Sequence, residues 1–160
     1  MTDNDLIYIL ALQNVPGIGD TTAKKLINHC GSAEAVFKEK KGNLLKIDGI
    51  GSVTIGDLFS KNYFEKAQNE LKFIKSENIK CHYFTSKSYP ERLKHCIDSP
   101  ILLFEAGNIN LNKKHIISIV GTRKITTSGI AFCEKLVEEL SIYNPIIVSG
   151  FAYGTDITAH

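Results

Sequence analysis

The apolar positions of this chain change period part-way along it. Up to about residue 78 they recur every three or four positions, the spacing that lines one face of a helix. Leu6, Ile9 and Leu10 set such a stripe near the start. Asp20 is placed to cap a helix through TTAKKLINHC, which Gly31 would stop. Ser32 is placed to cap a second helix through AEAVFKEKK, ending at Gly42. A longer helix is expected over NYFEKAQNELKFIKSEN, with Phe64, Leu71 and Ile74 among its apolar positions. From about Cys81 the runs shorten. CHYFT reads as a strand, and YPERLKHC as a turn and a short helix with Pro90 in its first turn. PILLFEAG is an apolar run closed by glycine, and IISIVG and PIIVSG read as buried strands. Between the last two, SGIAFCEKLVEEL is amphipathic, with Ile130, Cys133, Leu136, Val137 and Leu140 on its inner face. Strand, helix and strand at these lengths predict a βαβ crossover in a parallel sheet. The expected fold class is α/β: an all-α domain over 1–78 and a parallel-sheet domain over 79–160.

The helical half contains a repeat. VPGIGDTTAKKLI (15–27) and IDGIGSVTIGDLF (47–59) share an aliphatic residue, Gly-Ile-Gly, a residue able to cap, and an amphipathic helix. Gly17 and Gly49 stand 32 positions apart. The pair resembles tandem helix-hairpin-helix motifs. The first glycine of each would take a positive φ to turn the chain, and the second would let another body approach the backbone. Amides of Gly17, Ile18 and Gly19, and of Gly49, Ile50 and Gly51, are then candidate phosphate contacts. The same glycines equally serve tight helix–helix turns that bind nothing. Lys24 and Lys25 follow the first hairpin, and no basic residue closely follows the second.

The totals narrow the classes without choosing among them. The chain has 160 residues, 43% hydrophobic and 22% charged, as an ordinary globular protein does. No apolar run approaches the ~20 residues that span a bilayer, and MTDNDLIYIL does not read as a secretory signal. A cytoplasmic protein with no membrane partner is expected. Cys30, Cys81, Cys96 and Cys133 form no CxxC pair and read as reduced core thiols. Cys81-His82 and His95-Cys96 lack the usual spacing of zinc ligands, so neither a metal nor a cofactor is expected. The net charge of +2 says little, but its distribution says more. Between Glu105 and Glu134 there is no acid, while Lys113, Lys114, Arg123 and Lys124 fall there. That basic stretch is either a solvated face or an anion site.

In parallel α/β sheets ligands sit at the carboxyl ends of the strands. One such end opens into Gly121, Thr122, Arg123 and Lys124, followed by the hydroxyls of Thr126, Thr127 and Ser128 and by Gly129. Small residues, hydroxyls, a helix start and a guanidinium suit a phosphate. The loop is neither GxxxxGK[ST] nor GxGxxG. The other end opens into Ser149, Gly150, Phe151, Ala152, Tyr153 and Gly154. A base stacked on one of those rings would contribute about 1–3 kcal/mol whatever its identity. Phe151 reads equally as a core residue. Asp156 and His160, four apart, would share a helical face, either as an acid–base or metal pair or as a cap and a packed ring. No catalytic set appears elsewhere.

YPERLKHCIDSPILLFEAGNI, IISIVGTRKITTSG and IIVSGFAYGTDITAH occur in that order. They resemble the DNA-processing protein A (DprA, also called Smf) family, whose pattern is loosely YP-x-x-L, PxxLxxxG, V-G-[ST]-R and SG-x-A-x-G-x-D-x-x-AH. The resemblance covers roughly 80–160, and the hairpin half is similar to the helical domain that often precedes it. It implies an extended Rossmann-like fold that binds single-stranded DNA, protects incoming DNA during natural transformation and loads the RecA recombinase. It further implies a homodimer and no enzymatic activity. Gly121, Thr122 and Arg123 match the family's phosphate loop, with Arg123 the main anchor. Ser149, Gly150, Ala152, Gly154, Asp156 and His160 match its second motif. Tyr153 stands where many members are basic, and Phe151 and Thr155 replace the usual aliphatics. Ending at His160 leaves such a sheet incomplete, so a fragment is expected.

Two other readings compete with this one. A nucleotide-processing enzyme of the lysine-decarboxylase-like phosphoribohydrolase type has a similar glycine-rich loop, but carries PGGxGT where this chain reads SGFAYGT. A protein-interaction module would use the hairpins for packing alone.

Overall fold

The computed structural model describes residues 1–60, 62–112 and 115–160. Lys113 and Lys114 of the basic stretch lie outside the described residues. The chain divides into two compact units, Met1–Asn108 and Ile109–His160.

The first unit opens with helices α1 (Asp3–Gln13), α2 (Asp20–Cys30), α3 (Ala33–Lys38), α4 (Lys41–Leu44), α5 (Ser52–Ser60) and α6 (Phe64–Ser76). Strand β1 (Lys80–Tyr83), the short helix α7 (Glu91–Lys94) and strand β2 (Leu102–Glu105) follow. Local chemistry sets the helix ends. Thr2 and Asp5 form a reciprocal capping box at α1, with the Thr2 amide donating to the Asp5 carboxylate at 2.8 Å. Ser32 Oγ accepts the Ala35 amide at 3.0 Å, capping α3 as expected. Gly31, at φ +94°, stops α2.

Two expected helix limits differ. α3 ends at Lys38, because Glu39 turns extended and its carboxylate accepts the Lys40 amide and the Asn43 side chain, each at 2.8 Å. Gly42 therefore lies inside α4 rather than stopping α3. Asp20 does not cap α2; Gly19 holds that position. The Asp20 carboxylate instead accepts the amide of Ile101 at 2.8 Å, tying the approach to β2 onto α2.

That tie explains where the first unit ends. β1 and β2 pair antiparallel, Lys80 opposite Glu105 and Tyr83 opposite Leu102. Ile101 and Leu102 are buried in the same apolar core as Leu12, Leu26, Leu44 and Ile55. The change of period near residue 78 thus falls inside the first unit. Burying each such side chain contributes about 1.5–3 kcal/mol, enough to attach a two-stranded ribbon that is marginal in isolation.

The second unit contains β3 (Ile116–Ser118), α8 (Thr127–Leu140), a 3-10 turn at Ser141–Tyr143, β4 (Ile146–Val148) and α9 (Thr155–Thr158). β3 and β4 pair in parallel, Ile116 opposite Ile146 and Ser118 opposite Val148, with α8 as the crossover, as the pattern predicts. Of the inward positions expected on α8, Cys133 is buried, Leu136, Val137 and Leu140 are half-buried, and Ile130 is exposed. Two three-residue strands are too short to cover a 14-residue helix. The cysteines divide similarly: Cys133 is buried, Cys30 and Cys81 are half-buried, and Cys96 is exposed rather than part of a core. No helix among the described residues is long and apolar enough to cross a membrane.

Candidate nucleic-acid interface

Parallel pairing of β3 and β4 brings the loops at their carboxyl ends side by side, and Asp156 joins them. Its side chain is buried at 4% exposure. One carboxylate oxygen accepts the Gly121 amide at 3.2 Å and the other accepts the Gly150 amide at 3.0 Å. The Thr155 amide and hydroxyl both donate to the Thr122 carbonyl, at 3.1 and 3.3 Å. The two loops approach so closely that neither Gly154 nor Gly121 has room for a side chain. A Cβ on Gly154, which sits at φ +87°, would lie 2.2 Å from the Thr122 carbonyl oxygen. A Cβ on Gly121 would lie 2.4 Å from the Thr155 hydroxyl.

The first loop arranges itself around its own hydroxyls. Thr122 Oγ1 accepts the Lys124 amide at 3.1 Å, and Thr126 Oγ1 caps α8 through the Gly129 amide at 3.1 Å. Ser128 and Gly129 occupy the first turn of α8. Gly121, Thr122, Arg123 and Lys124 are exposed. Among the described residues no carboxylate pairs with Arg123 or Lys124. Two cations held beside a helix start with no internal counter-ion make a local positive field.

The second loop supplies rings. Arg123, Phe151, Ala152, Tyr153 and Ile157 line an open cleft of about 420 Å³. Phe151 is 69% exposed and Tyr153 82% exposed, so the reading of Phe151 as a core residue does not hold. Phe151 adopts φ +53°, a left-handed backbone unusual for a bulky residue. Ser149 Oγ accepts its amide at 3.1 Å and meets His160 Nε2 at 2.8 Å. The Phe151 and His160 rings meet edge to face at 5.5 Å.

Asp156 and His160 are engaged separately, the one with the loop amides and the other with Ser149. Asp156 also does not cap α9, whose N-cap is Gly154. Among the described residues no group of three or more His, Cys, Asp or Glu side chains converges as metal ligands do. Sequence reasoning missed the bridging role of Asp156 and the close fit of Thr155. The signal was present as an acidic residue set among glycines, where its nearest donors are backbone amides.

The hairpins lie in the first unit and repeat faithfully. Gly17 and Gly49 take φ +75° and +77°. Ile18 and Ile50 are buried at 6% and 7% exposure, each donating its amide to the aliphatic residue three before it. Gly19 and Gly51 are exposed, with no atom near where a Cβ would stand. The basic residues beside them are already engaged. Lys24 Nζ donates to Ser99 Oγ at 2.7 Å and to the Ile97 carbonyl at 3.1 Å, and Lys25 Nζ donates to the Asp48 carbonyl at 3.2 Å.

Residues 9–61 match the family model of a SAM-like helix-hairpin-helix tandem. The chain is 26% identical over its whole length to Protein Smf of Synechocystis, of which it covers 41%. It is 39% identical over 45% of its length to the DNA processing protein DprA of Streptococcus pneumoniae, covering 25% of that protein. With DprA of Bacillus subtilis it shares 34% identity over 62% of its length, covering 34% of that protein. The chain thus spans less than half the length of these relatives. Residues 80–160 match the family model of DNA recombination-mediator protein A, and this chain belongs to that family.

Proposed function

We propose that this chain binds single-stranded DNA as part of a recombination mediator, with the backbone phosphate at Gly121–Arg123 and bases in the adjoining cleft. One observation supports the reading most directly. Exposed Arg123 lines the same cleft as the exposed rings of Phe151 and Tyr153. A cation for phosphate beside open aromatic faces is the combination a single strand requires, and a duplex, whose bases are stacked away, cannot use the rings. Lys124, Thr126, Ser128 and Gly129 extend the phosphate side. Ser149, Gly150, Ala152 and Gly154 shape the base side. The reading assigns binding and no reaction. DNA held this way is protected and passed to the RecA recombinase in the cytoplasm, and the working form is a homodimer.

Fluorescence anisotropy of labelled oligo-dT at several salt concentrations tests this reading. Single strand is expected to bind better than duplex. Arg123→Ala is expected to weaken binding and to lower the log–log salt slope by about 0.7, the value of one phosphate contact on a single strand. Equal binding by Arg123→Ala and the unaltered chain would remove the phosphate assignment.

A further inference from the structure

Both aromatic residues of the cleft are exposed, but they are not held alike. Tyr153 is 82% exposed and extends from a loop. Phe151 is fixed at both ends. Its backbone is kept at φ +53° while its amide donates to Ser149 Oγ at 3.1 Å. Ser149 in turn meets His160 Nε2 at 2.8 Å, and the His160 ring packs edge-on against the Phe151 ring at 5.5 Å. The three residues close a ring of contacts around a conformation that phenylalanine does not adopt by preference. In an unsupported loop Phe151 would relax to negative φ and re-aim its side chain.

We propose that Phe151 is the base-stacking platform of this site, and that Ser149 and His160 are positioning residues that hold its ring toward the cleft. The inference rests on the single-strand reading above and adds to it which ring stacks and what sets it. The ligand class is an unpaired nucleobase taken without regard to identity, since a phenyl face offers no hydrogen bond. Pre-orienting the ring lowers the ordering cost of binding, because the loop need not rearrange when a base arrives.

The test separates base from backbone. Affinity is measured for oligo-dT and for an abasic oligonucleotide of equal length. The unaltered chain is expected to prefer oligo-dT by about tenfold, within the range of one stacked base. Phe151→Ala is expected to erase that preference. Ser149→Ala and His160→Ala are expected to lower it several-fold with the salt slope unchanged, and Ser149→Thr, which keeps the hydroxyl, to restore it. Arg123→Ala should weaken both oligonucleotides equally and leave the preference intact. A second readout uses Phe151→Trp, which introduces the only tryptophan. Its emission should respond to oligo-dT and not to the abasic strand, and adding His160→Ala should diminish the response. A preference unchanged in Phe151→Ala, or in both Ser149→Ala and His160→Ala, would overturn the inference while leaving the phosphate site standing. Failure of the unaltered chain to bind either oligonucleotide would overturn the single-strand reading and this inference with it.

Discussion

Asp156 accepts the amide of Gly121, a residue 35 positions earlier, and with its other oxygen holds Gly150. One buried carboxylate therefore sets the separation of the two loops. Asp156→Asn keeps the shape but turns an NH2 group toward one of the two amides, leaving that donor without an acceptor. The expected loss is about 1.5–3 kcal/mol in the stability of the second unit, the range for a hydrogen bond to a charged group. Oligonucleotide affinity should fall with it. Thermal unfolding and anisotropy on the same variant check both.

Gly154 tests how closely the loops must approach. Alanine there meets a positive φ and the Thr122 carbonyl together. Gly154→Ala should destabilise the second unit by about 3–5 kcal/mol, combining backbone strain and overpacking. Gly150→Ala should cost less, because its Cβ would meet only the Asp156 carboxylate, at 3.0 Å. Hydrogen exchange at the Thr155 amide, which bonds to Thr122, reports the difference.

Much of this arrangement was legible from residue patterns. The βαβ order followed from apolar period and length, and the repeat from two copies of Gly-Ile-Gly. Asp156 neither caps α9, which spans only Thr155–Thr158 behind Gly154, nor pairs with His160; its carboxylate bonds to the preceding loops, while His160 packs and bonds as the cap-and-packed-ring reading expects. The place of β2 was equally hidden. PILLFEAG declares a strand but not its place: it pairs with β1, and a hydrogen bond from Ile101 to Asp20, across 81 positions, ties its approach to α2. Charge pattern alone left Lys24 and Lys25 undecided, because side-chain reach decides whether a lysine is free.

Lys24 and Lys25 provide a contrast with Arg123. Lys24→Met should lower the stability of the first unit by about 1 kcal/mol, leaving Ser99 and Ile97 without their donor. The salt slope of oligonucleotide binding should not change in Lys24→Met or Lys25→Met. A fall of about 0.7 in either would reassign that lysine to phosphate.

Tyr83 predicts a pH dependence. Burial chiefly, with help from the charge of Asp5, pushes its phenol up to about 12. Unfolded, the phenol titrates near pH ~10. Between these values the folded chain keeps a proton that the unfolded chain has released, so rising pH favours unfolding. The contribution is complete below about pH 10 and is lost as pH climbs through the folded value. Tyr83→Phe should flatten this alkaline limb, as urea midpoints taken across the range would show.

The hairpin repeat has a consequence for how this chain can vary. Gly17 stands beside Thr54 on the helix that follows the second hairpin, a Cβ there falling 3.7 Å from the threonine hydroxyl. Gly49 stands beside Lys25 on the helix that follows the first, 3.1 Å from its ammonium by the same measure. Each copy leans on the other's helix. Neither half can drift in sequence, shorten or disappear without its twin registering the change, so the duplication survives only as a pair and should open as one cooperative unit.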